Sequence, residues 1–154
     1  MLDKILLALQ GFQGFQVLFL LIHDWIPLGR LNDVAAVLSQ DTYRRLVLVT
    51  CIQTVPFAIG LFFSARYLGI TRYPHWLNDW LWISYAMLFI GQLRAWWVPY
   101  LLRPEPTRAE RYRIMFGNTH SFLPERNGMV PNTAHILLHI ATLATLIVLF
   151  AKSN

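Results

Sequence analysis

Residues 115–143 read MFGNTHSFLPERNGMVPNTAHILLHIATL, and the change of character inside this stretch decides the fold. Polar, turn-forming residues give way at Pro131 to an apolar run that continues to Ala151. A helix of about 20 residues crosses a hydrocarbon core of about 30 Å, so the run from Thr133 to Ala151 has the length of a membrane span. It also carries His135 and His139, four residues apart and therefore on one helical face.

Working outward from this span, three more segments have the same character: Ile5 to Ile22, Leu46 to Phe63 and Trp80 to Val98. The expectation is an all-α fold, a four-transmembrane-helix bundle forming a single integral membrane domain over residues 1–154. Composition agrees. Of 154 residues, 56% are hydrophobic and 14% charged, where soluble domains carry about 25% charged residues. The mean hydropathy is +0.44. The first span has the position of a signal peptide, but Gln10, Gln13 and Gln16 interrupt it and no small-x-small cleavage site follows, so it is read as retained. The six tryptophans all fall near span ends, where an indole keeps its ring half buried and its N–H wet.

The net charge is +5, yet the thirteen Lys and Arg are scattered between apolar runs and form no basic tract. This excludes a nucleic-acid reading and leaves membrane lipids as the natural partner. Arg30, Arg44, Arg45, Arg103, Arg108, Arg111, Arg113 and Arg126 lie in the first and third loops, against Lys4, Arg66, Arg72 and Lys152 on the opposite side. Basic loops stay cytoplasmic, which places both termini outside a bacterial cytoplasmic membrane. The single cysteine, Cys51, permits neither an internal disulfide nor a Cys-x-x-Cys redox pair.

Loops 1 and 3 are expected to hold short interfacial helices. In loop 3, Thr107 to Glu110 has capping-box form, which predicts a helix from Arg108 to Phe116 ending at Gly117. In loop 1, Asn32 is the expected opener. The segments THSFLPERNG and PNTAHILLH resemble a family of small bacterial four-helix integral membrane proteins. That resemblance covers about a fifth of the chain and implies an architecture but no activity.

Alternating spans bring His23, Asp24, Arg94, His120, Glu125, His135 and His139 to one membrane face, leaving His75 at the other. Asn132 suits the N-cap of the last span. Gln13, Gln16, Leu20 and His23 make a polar stripe on the first span that should face inward. Gly91 and Ser84 on the third span are expected to permit close packing.

Three functional classes fit this convergence. A divalent metal could take His135, His139, His23 and His120 as ligands, and a b-type haem could take His23 and His139 axially. An apolar or lipid-like small molecule with an anionic head could be held by Arg94, Arg126, Gln16 and His120, with His23, Asp24 and His139 as candidate catalytic acid–base groups. Alternatively the histidines are structural, and the chain is an assembly subunit of a homo-oligomer or membrane complex. A transporter is disfavoured because no carboxylate lies mid-span.

Overall fold

The computed structural model describes residues 2–70 and 72–153. Among them the elements are helical: α1 (Leu2–Ile22), α2 (Val34–Gln40), α3 (Tyr43–Arg66), α4 (His75–Gln92), α5 (Val98–Leu101), α6 (Pro106–Phe116) and α7 (Thr133–Ser153). Three segments are long and apolar enough to cross a membrane: Lys4–Ile22, Tyr43–Arg66 and Thr133–Lys152. These are compatible with an integral membrane protein. The helix at the expected third span is not one of the three. Its first two turns carry Asn78 and Asp79, and the α-helical ladder gives way after Gln92 to a π-turn over Leu93–Trp97 before resuming as α5.

The inner face of α1 is written in alternating steps of three and four. Leu6, Leu9, Gln13, Gln16, Leu20 and His23 are all buried, as expected of a helix seam packed on neighbours. Its polar members each find partners. Ser64 of α3 accepts from Gln10 Nε2 at 2.9 Å and donates to Gln13 Oε1 at 2.5 Å. Gln16 Nε2 donates to Thr145 Oγ1 of α7 at 2.8 Å, and Thr142 Oγ1 donates to Gln16 Oε1 at 3.0 Å. In an apolar setting such bonds are the directional part of helix association, worth about 0.6–2 kcal/mol each.

α3 and α4 run antiparallel and touch closely at one end only. There Trp80 Nε1 donates to the carbonyl of Pro56 at 3.0 Å, and the Phe57 and Tyr85 rings lie 5.1 Å apart. The close approach depends on Gly60, where an added Cβ would stand 2.9 Å from Leu81 Cδ2. Gly91, the expected packing glycine, does the opposite: a Cβ there meets nothing within 4 Å. Substituting Gly60 by Val should therefore overpack the α3–α4 contact and cost about 1–3 kcal/mol. Reversible unfolding in mixed micelles measures this, and an unchanged midpoint would remove Gly60 as the point of closure.

At the other end, loops 1 and 3 pack over the bundle as a cap. Val37 of α2 and Ala109, Met115 and Phe116 of α6 join Leu46, Trp96, Tyr100 and Met129 in a second core separate from that between the long helices. Two sequence expectations change in detail here. α2 is capped by Asp33, whose carboxylate accepts from Ala36 N at 3.0 Å. Asn32 instead ties the chain behind α1, donating to the carbonyls of His23 and Ile26 and accepting from Leu28 N. α6 begins one residue before the expected cap, with Pro106 at its first turn and no side-chain cap bond. The capping box over Thr107–Glu110 does not form because Pro106, preset for helix and lacking an N–H, takes the first position.

Candidate functional site

Between the open arms of α3 and α4, beneath the cap, lies a cavity of about 460 Å³. Val49 of α3 and Met87 and Leu88 of α4 are apolar flanks, Gln53 of α3 adds an amide beside them, and His23, Asp24, His135 and His139 lie on its inner wall. Met87 and Gly91 are exposed on the outer surface of α4, so the cavity opens sideways between the two helices.

The π-turn sets part of this wall. Buried residues spaced four apart drift around an α-helix by about 40° per step, since 3.6 residues make a turn. Across the wider π-turn that drift is largely cancelled, and Gln92, Trp96 and Tyr100 all remain buried. Trp96 thereby packs against His135, with ring centroids 4.8 Å apart, and Trp97 Nε1 donates to His139 Nδ1 at 3.1 Å.

Each imidazole has its tautomer fixed by a neighbour. Asn132, the expected N-cap, is buried and accepts from His135 N at 3.1 Å. Its Nδ2 donates to the carbonyl of Leu31, which orients the amide, so Oδ1 is the acceptor facing His135 Nδ1 at 3.2 Å. The His135 ring therefore carries its proton on Nδ1, and in the neutral ring Nε2 is the acceptor. His139 is the reverse: its Nδ1 accepts from Trp97, which leaves the proton on Nε2. His23 Nδ1 lies 2.9 Å from the carbonyl of Phe19 and must donate, turning Nε2 toward Asp24 Oδ1 at 3.3 Å.

His23 and His135 meet edge to face, with centroids 5.5 Å apart. Burial raises the Asp24 pKa above the ordinary carboxylate value, and the neighbouring Asp41 adds to this while His23 opposes it. At the cavity mouth Asp41 is bridged by Arg111 at 2.7 Å and Arg45 at 3.0 Å.

The structure thus brings His23, Asp24, His135 and His139 to one cavity and leaves the remaining expected site residues elsewhere. His139 turns to Trp97 of the π-turn. His120 is exposed and bonded to Thr133 Oγ1 at 2.9 Å. Arg94, in the π-turn, is largely exposed and pairs with Glu105, whose pKa is lowered by hydrogen bonds from Arg108 and Arg94. Arg126 is exposed, 3.4 Å from the Leu101 carbonyl. Gln16 is saturated by Thr142, Thr145 and the carbonyl of Phe12. Among the described residues no group of three or more His, Cys, Asp or Glu side chains is placed to hold a metal ion. Trp96, Gln92, Asp41 and Arg111 also line the cavity. The sequence held no local signal for them, since their placement depends on the π-turn and on how α6 docks.

Compared with protein-family models, curated proteins and solved structures, the chain finds no match.

Proposed function

We propose that this chain is a four-span membrane protein that binds an amphiphilic small molecule in the cavity between α3 and α4. The continuous helix from His75 through the π-turn to Leu101 supplies the remaining span, and the arginine-rich cap faces the cytoplasm with both termini outside. The observation that carries the reading is a cavity of about 460 Å³ that is open sideways and ends on buried His23, Asp24 and His139 and half-buried His135. Its size falls within the range of small-molecule sites, about 300–1,000 Å³, and its mixture of apolar walls with a few converging polar groups is their usual make-up. Lipid is the medium from which a ligand can enter through a sideways opening. The His23–Asp24 pair, 3.3 Å apart, is the acid–base element such a site offers. A metal would have to compete for Nε2 of His23 and His135, the two acceptor nitrogens left after tautomers are fixed.

Filling the opening tests the reading. Gly91 lines the cavity and has room for a side chain, so Gly91→Phe is expected to displace any bound amphiphile while the fold persists. Native mass spectrometry of protein purified in mild detergent should show an adduct of lipid-like mass on the wild type and a loss of at least tenfold on the variant. Equal occupancy in both proteins sinks the proposal.

A further inference from the structure

The hydrogen bonds around the cavity also restrict the head group of its ligand. Gln16 Nε2 donates to the carbonyl of Phe12 at 2.9 Å, which can only accept, so the orientation of this amide is fixed and Oε1 is an acceptor. The single hydroxyl proton of Thr142 faces two acceptors, that Oε1 at 3.0 Å and the Leu138 carbonyl at 2.9 Å, so toward Gln92 its oxygen can only accept. Gln92 is consequently held with Nε2 donating to Thr142 at 2.9 Å and Oε1 turned away. That oxygen is buried and has no hydrogen-bond partner among the described residues. Gln92 lines the cavity, as does His135, whose Nε2 is an acceptor with no protein partner among the described residues.

Resting on the reading of the cavity as an amphiphile site, we infer that its ligand is a neutral amphiphile with a hydroxyl-bearing head, donating to Gln92 Oε1 and His135 Nε2. A buried acceptor, Gln92 Oε1, and a second on half-buried His135 select against an anionic head, which brings only acceptors of its own. A carboxylate or phosphate would leave Gln92 unsatisfied and add charge beside it. The arginines that would welcome an anion are engaged outside this pocket or at its mouth: Arg94 with Glu105, and Arg111 and Arg45 with Asp41. A hydroxyl can also accept, and His139 Nε2–H is a donor on the same wall. The hydrocarbon tail then leaves past Met87 and Gly91, along the exposed side of α4. Such heads occur on alkyl quinols and on monoacylglycerols.

Matched probes that differ in hydroxyl donors provide the test. Wild-type protein is titrated anaerobically with decylubiquinol and decylubiquinone, and separately with monooleoylglycerol and methyl oleate, with occupancy read by native mass spectrometry. At least a tenfold preference for the hydroxylated member is expected, because a buried acceptor left unpaired costs about 1–3 kcal/mol. Preference in the quinol pair identifies a ring head, and preference in the glyceride pair identifies a lipid head. Gln92→Leu should abolish the preference, and His135→Phe should weaken it. If Gln92→Leu does not fold, the comparison of matched probes on the wild type stands alone. Equal affinity within both pairs, or tighter binding of methyl oleate than of monooleoylglycerol, overturns the inference. The amphiphile reading survives that result if Gly91→Phe still releases a bound molecule, and fails only if it does not.

Discussion

Asn132→Ala is expected to lower stability by about 2–4 kcal/mol, more than any other single change at the cap. The loss of a helix N-cap costs about 1 kcal/mol, and stranding several part-buried partners at once adds about 1–3 kcal/mol. One amide holds four groups: it caps α7 at His135 N, orients His135 Nδ1, and donates to the Leu31 carbonyl at 3.0 Å and Thr119 Oγ1 at 2.5 Å. It thereby ties loop 1, loop 3 and the last helix at one point. Asn132→Asp supplies the contrast, since a carboxylate can still cap but cannot donate to Leu31. An unfolding midpoint for Asn132→Ala within error of the wild type would show that the cap is held elsewhere.

A loss of similar size, about 2–4 kcal/mol, is expected for Gln16→Ala. Two helix-to-helix bonds disappear and a cavity opens at a fully buried position. Thr142 would keep the Leu138 carbonyl, 2.9 Å away, as an acceptor for its proton, so Gln92 would keep its orientation. The variant should thus unfold more readily in mixed micelles while still discriminating between hydroxylated and non-hydroxylated ligands. Gln16→Glu, which keeps the volume, separates packing from bonding. If Gln16→Ala retains full stability, the α1–α7 seam owes little to this residue.

How much of this was legible in the residues themselves varies with the range of the interaction. Hydrophobic runs located α1, α3 and α7 to within a few residues, because a long apolar helix is specified by its own composition. Asn132 was readable as a cap for the same local reason. Gln13, Gln16, Leu20 and His23 were readable as an inward stripe because helical spacing places them on one face. That His23, Asp24, His135 and His139 line one cavity agrees with the expected alternation of helix direction along the chain. What could not be read was anything that depends on how distant surfaces meet. Pro106 displaced the capping box at Thr107, and Asp33 capped where Asn32 was expected. Gly60, not Gly91, proved to be the glycine of close approach, since only the facing residue, Leu81, makes the distinction. Arg94 and Arg126 carry the right chemistry for an anionic head, yet their partners, Glu105 and the Leu101 carbonyl, lie outside the cavity.

The π-turn at Leu93–Trp97 gives α4 and α5 two different reading frames along one continuous helix. A π-turn has the form of a single residue inserted into an α-helix, and removing one residue from it would rotate everything beyond by about 100°. Trp97 would leave His139, Tyr100 would leave the carbonyl of Pro124 that its hydroxyl reaches at 3.0 Å, and the cap would lose its seat on the third helix. A deletion here is therefore a change of architecture, whereas one in the exposed turn before Pro104 only shortens a connection. The length of this helix, counted residue by residue, is as much a part of the site as the identity of its histidines.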